Sequence, residues 1–124
     1  ALQETGGLLK KLSFANLKAT FFNGAISLTV NGYIKLPTIM GGLIIQWGTV
    51  ASVAAGAGVA VTFPVAFPTA CRCVELTQIL PSGNTNTSFS QTPYVLGSSV
   101  STTGFTAQTG GGETNSQYWL AIGY

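Results

Sequence analysis

The sequence lacks most of the residues that carry enzyme chemistry. It contains no histidine and no aspartate, and its three acidic residues, Glu4, Glu75 and Glu113, lie far apart. General acid–base catalysis usually relies on histidine or on two close carboxylates, and a metal site needs several clustered ligands. A cysteine nucleophile would also lack a histidine base. We therefore expect a protein that is not an enzyme and that holds no metal or cofactor.

Charged residues of either sign are also scarce. They make up 6% of the 124 residues, whereas a globular domain averages about 25%. Neutral side chains must therefore form much of the surface, or other chains must cover it. A small β domain that trimerises buries faces that would otherwise need charges. The net charge of +2 comes from scattered cations, which argues against binding to nucleic acid.

Long apolar runs are missing as well. The apolar content of 46% is ample for a folded core. The most apolar windows, residues 39–47 and 50–61, are nevertheless interrupted by glycine or glutamine. Because a membrane-spanning helix needs about 20 apolar residues in succession, we expect no membrane insertion.

The two cysteines, Cys71 and Cys73, are separated by one residue. On a strand both side chains would point to the same face and run parallel, which is a poor geometry for a mutual disulfide. We expect two reduced, buried thiols.

Residues 1–31 differ in character from the rest of the chain. Residues 6–22 hold three of the five cations and carry apolar residues three and four positions apart. This spacing predicts a short helix in a neck that connects to a shaft. Its two apolar stripes would pack either on copies of itself around a three-fold axis or on its own domain.

Residues 32–124 alternate short strands with turns. The predicted fold is all-β, a small antiparallel sandwich or barrel that forms a tightly packed or intertwined homotrimer. The final strand is apolar on both faces, which indicates a subunit interface. The repeated Phe-Pro pair at residues 63–68 predicts an extended corner. The residues assigned to the core or the trimer interface are Trp47, Phe63, Phe67, Tyr118, Trp119 and Ile122.

Several short motifs occur in a fixed order along residues 32–124. They are Gly-Tyr-Ile-Lys-Leu-Pro at 32–37, Gly-Leu-Ile-Ile-Gln-Trp-Gly at 42–48, Val-Thr-Phe-Pro at 61–64, Phe-Pro-Thr-Ala-Cys at 67–71, Gly-Phe-Thr at 104–106 and Tyr-Trp-Leu-Ala-Ile-Gly-Tyr at 118–124. In this order and spacing they resemble the C-terminal domains of tail fibers from Mu-like and P2-like contractile phages and from R-type pyocins.

The resemblance implies a homotrimeric β-structured tip at the distal end of a virion's tail fiber, assembled in the host cytoplasm. It also implies adsorption to a bacterial surface glycan, usually lipopolysaccharide, and assembly with a dedicated chaperone. The motif residues are apolar or turn positions, so the resemblance transfers no chemical role to any of them.

Two polar loops, residues 81–93 and 110–116, are predicted to lie together at the end away from the shaft, because successive antiparallel strands alternate their connections. Amide side chains match vicinal sugar hydroxyls, and aromatic rings stack on sugar rings. The candidate receptor-binding residues are Asn84, Asn86, Phe89, Gln91, Tyr94, Glu113 and Asn115. The amides could equally be solvated loop residues, and Phe89 could anchor its loop on the domain.

Two other functions stay open at this point. One is a secreted or capsid-associated lectin-like module that binds carbohydrate as a monomer or dimer. The other is a depolymerase tip whose site is shared between chains and uses Glu113.

Overall fold

The computed structural model describes residues 14–17, 25–80, 92–111 and 114–124. Residues 14–17 form a helical turn within the predicted neck helix, whose other residues lie outside the described ranges. No helix among the described residues is long and apolar enough to span a bilayer.

The described residues form eight strands, several of which alternate buried and exposed side chains as half-buried strands do. In chain order they are β1 (Ile26–Ser27), β2 (Gly32–Lys35), β3 (Ile44–Val53), β4 (Val59–Thr62), β5 (Cys71–Ile79), β6 (Pro93–Val95), β7 (Gly104–Thr109) and β8 (Asn115–Gly123).

The strands form two sheets. The large sheet has five strands in the order β1-β2-β3-β8-β5, and the small sheet has three in the order β4-β7-β6. Each pair of neighbouring strands is antiparallel. The predicted boundary between residues 31 and 32 falls within the hairpin that β1 forms with β2.

The two sheets pack face to face around an aromatic cluster. Phe63 and Phe67 come from the Phe-Pro corner, Phe105 from the small sheet and Trp119 from the large sheet. Phe63 lies 5.0 Å from Phe67, 5.7 Å from Phe105 and 5.8 Å from Trp119, measured between ring centroids. Such tilted and edge-on pairs stabilise a core beyond the area that they bury. The prediction of an all-β antiparallel sandwich is therefore confirmed.

Gly48 makes room for the largest ring of this core. It pairs with Trp119 across the large sheet. A Cβ atom at position 48 would lie 2.6 Å from carbons of the Trp119 ring and would also collide with the Asn31 side chain. A glycine inside a strand often marks either a bulge or the close approach of another group, and Gly48 is a case of close approach.

The connections between strands gather at two opposite ends of the sandwich. At one end, here called the loop end, Gly56 N–H donates to the Thr109 carbonyl and Gly110 N–H to that of Thr92. At the other, the corner end, Phe67 N–H donates to the Thr102 carbonyl, and Ala70 N–H to that of Tyr124. The described ends of both predicted receptor loops therefore lie at the loop end, opposite the Phe-Pro corner.

One predicted strand is shorter than expected. The apolar pattern predicts a strand over residues 94–101, but β6 ends at Val95 and a 3₁₀ turn spans Gly97–Ser99. The Ser99 hydroxyl donates to the Leu96 carbonyl at 2.6 Å and accepts from Thr106 N–H at 2.7 Å. The Ser99 hydroxyl thus bonds to a strand N–H that would otherwise pair with a neighbouring strand, as serine side chains often do in turns.

A buried glutamine attaches the Phe-Pro corner to the large sheet. Gln46 is fully buried on β3. Its Nε2 donates to the Val65 carbonyl at 2.7 Å, and its Oε1 accepts from Val65 N–H at 2.9 Å. The side-chain amide thus satisfies both backbone groups of a residue in a segment that contains two prolines.

We expect Gln46→Leu to lower the free energy of unfolding by about 1–3 kcal/mol, because it leaves the Val65 N–H and C=O without their partner. Urea denaturation followed by tryptophan fluorescence measures the loss. The exposed Thr62→Val is the matched control and should change stability by less than about 0.5 kcal/mol. Equal stability of the two variants would show that the Gln46 contact does not hold the corner.

Candidate functional site

The outward face of the large sheet carries a row of isoleucines. Ile26, Ile34, Ile45 and Ile122 occupy paired positions on four neighbouring strands. Ile26 is 43% exposed and the other three are partly exposed. A row of β-branched side chains on adjacent strands is typical of a surface that packs against another apolar surface.

The neighbouring rows of this face combine three large apolar or aromatic side chains with two threonines and one glutamate. Trp47 pairs with Leu120, which is 37% exposed, and Tyr118, which pairs with Thr49, is 56% exposed. Glu75, paired with Leu120 on the edge strand β5, brings a charge to the margin. We call the following residues the apolar face: Ile26, Ile34, Ile45, Trp47, Tyr118, Leu120 and Ile122. Contiguous apolar surface of this kind marks an interaction site.

The six residues predicted for the core or a subunit interface divide into two groups. Phe63, Phe67 and Trp119 lie in the core between the sheets. The other three lie on the apolar face and are Trp47, Tyr118 and Ile122. Along β8 the side chains alternate, so that Trp119 points inward while Tyr118 and Ile122 point outward.

The structure places two of the seven predicted receptor-binding residues. Asn84, Asn86, Phe89, Gln91 and Glu113 lie outside the described residues. Tyr94 lies on β6, where it pairs with Gln108 and is 42% exposed. It follows the predicted loop directly at the loop end.

Asn115 does not occupy the surface position expected of a receptor-binding residue. It is the first residue of β8, pairs with Val53 and is 4% exposed. Its position shares the inward face of β8 with Gln117 and Trp119. The polar composition of residues 110–116 suggested a loop, but the alternation that defines β8 continues back to Asn115 and buries its side chain.

Buried polar side chains that the sequence did not reveal lie beneath the loop end. Gln117 Nε2 donates to Thr109 Oγ1 at 2.6 Å and to the Gln108 carbonyl at 3.2 Å. Thr109, Asn115 and Gln117 are each buried. This layer connects β7 to β8 and supports the loop end from below.

The chain matches the family of gp53-like tail fiber proteins, C-terminal domain, over residues 35–124. This match covers most of the chain. The chain belongs to this family. It is therefore a tail-fiber domain, as the sequence motifs indicated.

Solved tail-fiber structures have the same fold as this tail-fiber domain. An N-truncated R1-type pyocin tail fiber is 30% identical with a TM-score of 0.59, and the match covers 90% of this chain and 97% of that one. An N-truncated R2-type pyocin tail fiber is 27% identical with a TM-score of 0.66, over 92% of this chain and 44% of that one. The domain thus spans less than half of the R2-type chain. A search of curated protein sequences found no match.

The expectation that both thiols are buried is wrong for Cys73. Cys73 is exposed, Cys71 is partly buried, and both are free. The Cys71 thiol donates to the Cys73 carbonyl at 3.6 Å. Burial raises the pKa of the Cys71 thiol, so less of the reactive thiolate is present at neutral pH.

We expect Cys71 to react with iodoacetamide several-fold more slowly in the native tail-fiber domain than in guanidinium, because folding both shields the thiol and raises its pKa. Peptide mass spectrometry after timed labelling at pH 8 measures the rate. Complete labelling in denaturant should modify two thiols per chain. An equal rate for Cys71 in both conditions, or a disulfide between the two cysteines, would contradict this expectation.

Proposed function

We propose that the tail-fiber domain is a non-enzymatic, homotrimeric receptor-binding tip that attaches its particle to a bacterial surface glycan such as lipopolysaccharide. The observation that carries the proposal is the apolar face of the large sheet. A single chain in water would leave this face exposed, whereas three copies around one axis would bury it. The low charge content of the sequence supports the same assembly.

A trimer of this kind orients both ends of the sandwich. If the three apolar faces converge on the axis, the three loop ends lie together at one end of the assembly. Ala25, the first residue of the continuous described segment, lies at the corner end, since Lys35 N–H donates to its carbonyl at 2.7 Å and Lys35 pairs with Ile44. The fiber shaft would then join at the corner end and leave the loop end free.

Glycan binding at the loop end follows from this orientation and from the loop composition. Asn84, Asn86 and Gln91 offer amide donors and acceptors, and Phe89 offers a ring for stacking. Weak contacts repeated three times gain through multivalency, by about 10²–10⁴-fold where the geometry allows simultaneous binding.

The proposal also gives a physical reason for an assembly chaperone. A newly made chain exposes the apolar face until it meets two others, and such a surface promotes aggregation. A partner that covers this face before assembly would prevent that.

We expect Leu120→Asp to abolish trimer formation while the sandwich still folds. An unpaired charge buried in an interface costs about 3–5 kcal/mol, and each trimer would contain three. Thermal unfolding over a hundred-fold range of protein concentration tests this, because the Tm of an assembly rises with concentration.

Thr62→Asp, which places the same charge on the exposed surface of the small sheet, is the matched control and should keep the concentration-dependent Tm. Near-UV circular dichroism of the buried Trp119 shows whether each variant is folded. A folded Leu120→Asp variant with an unchanged concentration dependence would place the interface elsewhere.

The attachment function is tested with fluorescently labelled tail-fiber domain, a panel of Gram-negative strains and lipopolysaccharide purified from the strains that it stains. We expect the purified lipopolysaccharide to compete for staining and to be recovered without cleavage. The double variant Asn84→Ala/Asn86→Ala should bind tenfold or more weakly, since each lost hydrogen bond is worth about 1 kcal/mol.

Ser98→Ala, an exposed change outside the predicted loops, is the control and should bind as the wild type does. Cell binding that purified lipopolysaccharide does not reduce would contradict the proposed receptor. Cleavage of the polysaccharide would contradict a purely binding role.

A further inference from the structure

The outward face of the small sheet presents side chains of a different chemical type along each of its three strands. Thr106 and Gln108 of β7 point outward, because their neighbours Phe105, Ala107 and Thr109 are buried. Tyr94 of β6 pairs with Gln108, and Ala60 of β4 pairs with Thr106. The remaining two positions extend these rows, Leu96 beside Thr106 and Gly58 beside Gln108. We call these six residues the small-sheet patch.

Across the sheet, from β4 through β7 to β6, the side chains of the patch change from small to polar to largely apolar. On β4 and directly before it, the patch has Ala60 and Gly58, which project little or nothing above the sheet. On β7 it has a hydroxyl and an amide. On β6 and directly after it, the patch has Tyr94, which is 42% exposed, and Leu96, which is 39% exposed. None of the six side chains is charged, so the patch offers a ring and an aliphatic surface next to neutral hydrogen-bonding groups.

The absence of a side chain at Gly58 leaves room for the Thr106 side chain. A Cβ atom at position 58 would collide with Thr106 Cγ2 and would lie 3.4 Å from Gln108 Nε2. The Gln108 amide therefore extends toward Gly58, on the side away from Tyr94. Side chains paired on adjacent strands are about 4.5–5.5 Å apart at Cβ, a spacing comparable to the width of one sugar ring.

We propose that the small-sheet patch is a second carbohydrate subsite, which binds a neutral sugar residue of the same surface glycan. The apolar face of the pyranose would stack on Tyr94 and contact Leu96, while its hydroxyls would hydrogen-bond with the Gln108 amide and the Thr106 hydroxyl. The inference rests on the proposed function and extends it from the loops to the side of the domain.

Three observations favour a neutral sugar over other partners. The patch has no cation to attract a phosphate and no acid to attract a basic peptide, so charge gives no affinity for either. Its exposed apolar area is limited to one ring and one leucine, which is small for a stable protein interface. It is also continuous with the loop end, because Tyr94 lies two residues after Thr92, whose carbonyl accepts from Gly110 N–H at 3.0 Å. A glycan chain held by the loops would reach it.

The test uses the whole tail-fiber domain and an array of neutral hexose and deoxyhexose oligosaccharides, with an anionic polysaccharide for comparison. We expect Tyr94→Ala and Gln108→Glu each to weaken binding to the neutral oligosaccharides tenfold or more. Tyr94→Phe should stay within about threefold of the wild type, because it keeps the stacking ring. Gly58→Ala should weaken binding without removing any contacting group, since the added Cβ would displace the Thr106 side chain.

Thr62→Ala, on the same sheet face but outside the patch, is the matched control and should leave binding unchanged. Near-UV circular dichroism and light scattering confirm that every variant is folded and assembled like the wild type. Saturation-transfer NMR should show magnetisation passing from the protein's aromatic protons to the sugar, and Tyr94→Ala should remove most of it.

The possible outcomes separate the subsite from the proposed function. Loss of binding in Tyr94→Ala and Gln108→Glu, with Thr62→Ala intact, supports the subsite. If those two variants bind normally while Asn84→Ala/Asn86→Ala fails, the loops alone bind the glycan and the subsite is wrong. If the wild type stains cells but binds only the anionic polysaccharide, the subsite is also wrong, while attachment to cells still stands.

Discussion

The rest of the structure depends on β8, which is apolar on both of its faces. It lies between β3 and β5 in the large sheet, so its backbone groups are paired on both sides. Its inward residues Trp119 and Ala121 pack against the small sheet, and its outward residues Tyr118, Leu120 and Ile122 form the middle of the apolar face. One strand thus joins the core of each chain to the surface that we propose joins the chains.

This arrangement separates the tasks of the domain in space. The Phe-Pro corner, Gln46 and the aromatic cluster stabilise the sandwich, and the apolar face is left for the assembly that we propose. The small-sheet patch carries partly exposed neutral polar groups, which would fit a neutral ligand. Low charge is consistent with each part, because an apolar interface and a glycan-binding surface both function without it.

The sequence predicted the final strand, β8, and the corner where two prolines prevent a ladder. It did not reveal that Gln46 binds Val65 or that Gln117 binds Thr109, because those contacts depend on which strands become neighbours. Asn115 was misplaced because its local composition resembles a loop, while its burial depends on pairing with Val53. The sequence did not indicate Gln108, because the role that we propose for it depends on the register that places it beside Tyr94.

The central claim is that other copies of the chain cover the apolar face. Multi-angle light scattering of the purified tail-fiber domain at micromolar concentration tests it most directly, because the number of chains per particle follows from the mass. The account predicts a single species of three times the mass of one chain. A folded species with the mass of one chain, stable in solution with Tyr118 and Leu120 exposed, would contradict it.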